Sequence, residues 1–219
     1  MSHIAIVGGH GQVAQHIIDA LVRAEHTPVA LVRAEEQRAE LEAKGAEVRI
    51  LDIEHEEVDG FVRAFEGCDA VVFAAGGGPD GNLDRKRTVD FEGSTKSVEA
   101  AGDAGIRRFV QISAIDVDAE LPADTPEVWR AYVAAKADSD KVLRESNLDW
   151  TIIRPGMLTD DPATDQVSFS PDASRGPIPR ADVAAVVMAC LTEPGTIGHQ
   201  ANLVEGKHTV AHAVRTLIA

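Results

Sequence analysis

Short runs rich in β-branched residues alternate along this chain with longer stretches whose apolar positions recur every three to four residues. The short runs lie at about 3–7, 28–32, 47–51, 69–74, 107–112 and 149–153 and predict strands. The longer stretches, at about 11–25, 35–44, 56–65, 83–104 and 126–146, predict helices. Lys44-Gly45, Glu66-Gly67 and Ala104-Gly105 each place a glycine just past a helical turn, where chains commonly leave a helix. Such alternation predicts right-handed βαβ crossovers and an α/β fold built on a doubly wound parallel sheet. Beyond Arg154-Pro155-Gly156 the rhythm changes. A loop around Asp160-Asp161-Pro162-Ala163-Thr164 precedes a short strand near 166–170 and a polar, proline-rich stretch at about 171–179. A helix at about 180–193, a strand at 199–205 and a last helix from 208 complete the pattern. This final segment, about 155–219, is too short for an independent domain. It is expected to cap the carboxyl edge of the sheet on the substrate side, within a single domain spanning 1–219.

Composition narrows the class. The chain has 219 residues, enough for one sizeable core, and only 4% of them are aromatic. The core must therefore be built from Val, Ile, Leu and Ala, which suits a sheet covered by helices on both faces. A net charge of −15 argues against nucleic acid or an anionic membrane as partner, since both reward basic surfaces. A small-molecule substrate and a monomer or homodimer are expected instead. Cys68 and Cys190 are too few for a disulfide framework and form no CxxC pair, so a reduced cytoplasm is the expected compartment. No apolar run approaches membrane-spanning length, and the first residues lack a signal-peptide pattern.

The opening strand carries the strongest local signal. Ile4-Ala5-Ile6-Val7 runs into Gly8-Gly9-His10-Gly11 and then into a helix beginning near Gln12-Val13. Glycines at 8 and 11 allow a sharp turn with no Cβ in the way, and the unpaired amides of a first helical turn favour a phosphate. Ala14 is small enough for close packing of helix on strand. The resulting Gly-x-x-Gly-x-x-Ala spacing is a variant of the dinucleotide-binding fingerprint. His10 either lines the phosphate site or bonds locally. Arg33, at the end of the second strand, occupies the place beside the adenosine ribose, where an arginine holds a 2′-phosphate; NADP(H) is therefore expected over NAD(H). Glu35 and Glu36 follow closely, and a solvated arginine is the plain alternative. Asp52-Ile53 and Ala74-Ala75-Gly76 end the third and fourth strands, at the crevice edge. Asp52 is expected either to accept from the adenine amino group, with Ile53 on the ring, or to cap the following helix. The small residues at 74–76 would let the backbone pass close to ribose and pyrophosphate.

The catalytic candidates lie further on. Tyr132, the single tyrosine of the chain, stands four residues before Lys136 on a predicted helix, so the two share a face. A free phenol ionises near pH ~10, and a neighbouring ammonium is expected to draw that value down while also reaching the nicotinamide ribose. The plain alternative is an amphipathic tyrosine beside a surface lysine. Ser113, at the end of the fifth strand, is expected to donate to a substrate carbonyl, or else to bond its own backbone as a turn residue. His208 and His212 have helical spacing but no third ligand, so no metal is expected. Trp129 is placed at the pocket mouth beside Tyr132.

Together, Gly8-x-x-Gly11-x-x-Ala14, Arg33, Ser113, Tyr132-x-x-x-Lys136, Thr151-Ile152-Ile153-Arg154-Pro155-Gly156 and Ile178-Pro179-Arg180-Ala181-Asp182-Val183-Ala184 resemble the atypical short-chain dehydrogenase/reductase superfamily. The likeness is to its small NAD(P)-binding members, the NmrA-like, flavin-reductase-like and epimerase-like proteins, and covers nearly the whole chain. It implies a Rossmann fold of strand order 3-2-1-4-5-6 plus one short extra strand, with NADP(H) under the glycine turn. It also implies Tyr132 as general acid/base, Lys136 as its electrostatic partner, Ser113 as the residue orienting substrate, and Pro155 and Gly156 beside the nicotinamide. The acidic stretch of Asp116, Asp118, Glu120, Asp124 and Glu127 departs from the pattern and predicts an unusual pocket rim. Three functions follow as expectations: an oxidoreductase acting on a small carbonyl, quinone or flavin-like substrate; a non-catalytic NADP(H) sensor; and an NAD(P)-dependent epimerase or dehydratase.

Overall fold

The computed structural model describes residues 1–78 and 81–219. Seven parallel strands form the body of the sheet: β1 (His3–Val7), β2 (Thr27–Val32), β3 (Glu47–Ile50), β4 (Ala70–Phe73), β5 (Arg108–Ile112), β6 (Asp149–Pro155) and β10 (His199–Glu205). Between β6 and β10 in sequence come β7 (Met157–Thr159), β8 (Gln166–Ser170) and β9 (Pro177–Pro179), and β11 (His208–Thr209) follows. The order across the sheet is β3-β2-β1-β4-β5-β6-β10-β8-β11, with β8 and β11 antiparallel at the edge.

The helices are α1 (Gln12–Arg23), α2 (Arg38–Ala43), α3 (Val58–Phe65), α4 (Leu83–Arg85), α5 (Gly93–Asp103), α6 (Glu127–Glu145), α7 (Arg180–Thr192) and α8 (Val210–Leu217). Successive strand residues face opposite ways, so the two covers are legible in the core. Ile4, Ile6, Val72 and Val110 pack against Ile17 of α1 and Val183 and Val187 of α7. Ala5, Val7, Val71 and Phe109 pack against Phe61 of α3, Val98 of α5 and Leu143 of α6. The single α/β domain expected from the alternation is present.

Four details differ from the linear reading. The expected 3-2-1-4-5-6 order holds, but three strands rather than one extend it. The proline-rich stretch contains β9, which pairs in parallel with β7 as a separate two-stranded sheet. Three-residue strands with prolines at both ends of β9 carry almost no periodicity, so pattern alone does not find them. His208 belongs to β11 instead of the final helix, which starts at Val210 behind the Thr209 cap. Finally, the predicted helix at 83–104 is helical throughout but widens into a π-helical stretch at Lys86–Glu92 between α4 and α5.

Candidate active site

The carboxyl ends of β1, β4, β5 and β6 converge where the strand order reverses, between β1 and β4. A cavity of about 1090 Å³ opens there. Its walls include Gly11, Gln12 and Val13 from the first turn, Ala74, Ala75 and Gly76 after β4, and Ser113 after β5. Tyr132 and Lys136 of α6, and Pro155 and Gly156 after β6, complete the set. The structure therefore brings eleven of the sequence-predicted residues into one space. Gly8, Gly9, His10, Arg33, Asp52 and Ile53 stand outside its walls.

The glycine turn is built for close packing. Gly8 has φ +81, and a Cβ there would lie 2.7 Å from the Ala75 Cα. Gly9 passes equally close to Ala30 of β2. Gly11 caps α1 without any side-chain bond, and the first turn of α1 carries no acid. The opening amides of that helix are thus left for an anion by ordinary helix geometry. His10 bonds Glu40 at 3.0 Å, which favours the local role. Arg33 is exposed and makes no ion pair among the described residues, whereas its neighbour Arg38 is taken by Glu35 and Glu42.

Asp52 corrects one alternative. It does not cap α3; its carboxylate accepts from the Glu54 amide at 3.0 Å and sits 2.9 Å from His55 Nδ1, heading a turn before the helix. Burial works against the charge of Asp52, but the His55 bond and the Glu54 amide outweigh it and hold the carboxyl below its usual range. Ile53 presses its side chain onto Gly93, where a Cβ would come within 2.3 Å.

Lys136 is buried and lies 3.2 Å from Asp90 Oδ1, while its ammonium also reaches the carbonyls of Ala75 and Ile112 at 3.4 Å each. Asp90 itself is fully buried, and its other oxygen accepts from the Gly77 amide at 2.9 Å. Burial alone would lower the Lys136 pKa, but the Asp90 charge overrides it and keeps the lysine cationic. Tyr132 behaves differently from expectation. Burial, followed by the charges of Asp90 and Asp140, raises its phenol above the ordinary value, and the opposing pull of Lys136 is not enough. The expected lowering fails because burial, with the charges of Asp90 and Asp140 behind it, outweighs the pull of the lysine.

Ser113 requires a second correction. Its hydroxyl donates to Asp140 Oδ2 at 2.8 Å and is not directed at a substrate carbonyl. Asp140 is buried and also accepts from Gln111 Nε2 at 2.7 Å and Arg154 Nε at 2.9 Å. Burial raises the Asp140 carboxyl, while Arg154 and the bonds from Gln111 and Ser113 pull against that rise. A carboxylate surrounded by donors fixes the direction of the Ser113 hydroxyl, so the serine oxygen offers lone pairs to the cavity. The acidic residues after Ser113 do not form the pocket rim: Asp116 pairs with Arg175 and Asp118 with Arg154, and none of Asp116, Asp118, Glu120, Asp124 and Glu127 lines the cavity.

Asp140 had a readable signal: Tyr132, Lys136 and Asp140 follow at steps of four along one face of α6. Asp90 had none, because its partner lies far away in sequence. Trp129 stands at the mouth as expected, its ring 5.2 Å from that of Tyr132. Cys68 and Cys190 are buried thiols, the latter pushed up to about 12 by burial. Among the described residues no cluster could hold a metal.

A profile of the NAD(P)H-binding family matches residues 8–194, from the glycine turn through α7. The chain belongs to the NAD(P)H-binding family. A relative from Bacillus subtilis (strain 168), named as an uncharacterized sugar epimerase, YhfK, is 39% identical to this family member over 98% of the chain and 99% of its own length. A solved Bacillus halodurans structure whose name suggests an NAD-dependent epimerase/dehydratase is 35% identical, with TM-score 0.90, and covers 99% of this chain and 100% of its own. A short-chain dehydrogenase/reductase from Veillonella parvula DSM 2008, solved with NADP, shares the fold at TM-score 0.74 and 20% identity, covering 95% of this chain and 97% of its own. The resemblance to atypical short-chain dehydrogenases/reductases fits these neighbours. Among the described residues no helix is long and apolar enough to cross a membrane.

Proposed function

We propose that this chain is an NADP(H)-dependent oxidoreductase acting on a small carbonyl, quinone or flavin-like substrate, the carbonyl case being the one the site geometry suits. One observation carries the reading: the Tyr132–Lys136 pair shares a cavity with the uncapped first turn of α1. The residues present fit a dinucleotide. The α1 amides would hold the pyrophosphate. Asp90, whose buried Oδ1 faces only the Lys136 ammonium among the described residues, and Lys136, whose backbone bonds are long, would take the nicotinamide ribose. The exposed guanidinium of Arg33, without an ion pair among the described residues, supports a 2′-phosphate, and so NADP(H) over NAD(H). Pro155 and Gly156 would border the nicotinamide, and Asp52 and Ile53 the adenine.

When bound, the dinucleotide supplies a hydride to the carbonyl carbon. Tyr132 supplies the matching proton to the carbonyl oxygen, leaving an alcohol. A phenol held above its usual pKa is fully protonated at neutral pH, which suits an acid in the reducing direction. Lys136 then faces the phenolate left behind. Calorimetric titration with NADPH and NADH, followed by NADPH consumption over a carbonyl and quinone panel, tests this. Tighter NADPH binding with turnover that collapses in Tyr132→Phe is expected. Absence of heat with both nucleotides overturns it.

The names of the two relatives at 39% and 35% identity favour a second reading, an NAD(P)-dependent epimerase or dehydratase. Such an enzyme would use the same tyrosine while hydride is taken and returned. Dinucleotide that co-purifies tightly and shows no net oxidation during turnover would mark it.

A further inference from the structure

Among the described residues, every buried cation around the cavity but one has its own acid. Lys136 has Asp90, and Arg154 has Asp140 and Asp118. On the π-helical stretch and its flank, Arg85 lies 3.5 Å from Glu54 and Arg87 pairs with Glu92. Lys86, between them, is 5% exposed, and no carboxylate among the described residues pairs with it. Its ammonium donates to the carbonyl of Gly78 and rests over the Tyr132 ring, 5.8 Å from the centroid. One carbonyl and one aromatic face do not compensate a buried charge, which ordinarily draws in a counter-ion.

The surroundings point the same way. Of the other cations on the described cavity wall, Lys136 is paired with Asp90, Arg175 with Asp116 and Arg180 with Asp160, so Lys86 alone lacks a carboxylate partner among the described residues. Phosphates of the dinucleotide account for the α1 wall, not for a cation lying on the catalytic phenol. Trp129, Met157 and Leu158 line the same cavity and are 44%, 69% and 36% exposed, an apolar lip beside that cation.

We propose that Lys86 binds a carboxylate of the substrate, which makes the substrate a small apolar oxo acid. Its carboxylate and reducible carbonyl lie a few bonds apart, one on Lys86 and the other at Tyr132. This inference rests on the reductase reading for the reaction but not for the binding. In the reaction the carbonyl gains hydride from NADPH and a proton from Tyr132, NADPH becomes NADP+, and the carboxylate is untouched.

The test is binding of benzoylformate and of its methyl ester, by calorimetry, to the protein alone and to protein saturated with NADP+, where no reduction can occur. Wild type is expected to hold the acid about tenfold tighter than the ester, a difference of about 1.4 kcal/mol. Lys86→Gln should bring the acid-to-ester ratio to about one, and Lys86→Arg should restore most of it. Thermal melts establish that both variants are folded. Equal affinity of acid and ester in wild type overturns the proposal, as does a Lys86→Gln variant that weakens both alike. Loss of NADP+ affinity in Lys86→Gln with the acid preference intact would assign the lysine to the dinucleotide and also overturn it. Acid preference in binding without NADPH consumption on any carbonyl leaves the subsite standing and refutes the reductase reading alone.

Discussion

A phenol on α6 is asked to give up a proton beside two buried carboxylates, Asp90 on the cavity wall and Asp140 behind it. Burial first, then Asp90 and Asp140, hold Tyr132 in its protonated form, and Lys136 only partly offsets them. The acid form is the one present below the raised pKa and is lost as pH climbs through it. The rate of reduction should therefore stay level through neutral pH and fall only beyond the ordinary phenol range near pH ~10. Asp90→Asn removes one of the charges that raise the phenol, so that alkaline limb should move to lower pH, read from the pH dependence of kcat/KM. The same variant breaks a buried ion pair, with an expected loss of about 3–5 kcal/mol in denaturant unfolding. Tyr132→Phe should lower kcat by about 10²–10⁴-fold while NADPH affinity is kept. Arg33→Ala should weaken NADPH by about tenfold or more and leave NADH nearly unchanged, because a lost guanidinium–phosphate contact touches only the 2′-phosphate. Equal weakening of both nucleotides would remove the reason for preferring NADP(H).

Turns and irregular pieces carry the site more than the regular elements do. Gly8 combines a left-handed φ of +81 with a backbone approach to Ala75 that leaves no room for a Cβ. Gly8→Ala should cost about 1–3 kcal/mol in stability and lower dinucleotide affinity together, since the same turn aims the α1 amides. Gly156→Ala would drive a Cβ to 2.1 Å from the Gly176 carbonyl and prise β7 from β9. A comparable loss of stability is expected there, with a changed substrate profile and weaker NADPH binding, since Gly156 would border the nicotinamide. The π-helical stretch is the third such piece. It brings Lys86 and Asp90 to the cavity from one short segment, in keeping with the frequent appearance of π geometry at functional sites. Periodicity read that region as one ordinary helix, because a local widening leaves the apolar spacing almost intact.

Taken as one body, the molecule joins its terminal segment firmly to the rest. The helix α7 docks on α1 across the shared core, and β10 lies in parallel register with β6, His199 opposite Thr151 through Leu203 opposite Pro155. Thermal unfolding followed by far-ultraviolet dichroism and by tryptophan fluorescence should coincide in a single transition, whereas a detachable cap would split the two. NADPH at about one hundred times its Kd should stabilise the fold by about 2.7 kcal/mol.

The strand–helix rhythm, the glycine turn and the Tyr132–Lys136 spacing were all legible in the linear chain. Each is a local pattern, set by steric rules within a few residues of backbone. The 3-2-1-4-5-6 part of the sheet order followed from resemblance, though not its three-strand extension, and Asp140 could have been read from its place one turn after Lys136. The protonation of Tyr132, the direction of the Ser113 hydroxyl and the burial of Lys86 without an acid partner among the described residues were not legible. They depend on which acids from distant segments, Asp90 and Asp140 above all, end up in the same dry space. Burial and electrostatic pairing are properties of three-dimensional neighbours, and only the packed fold chooses those.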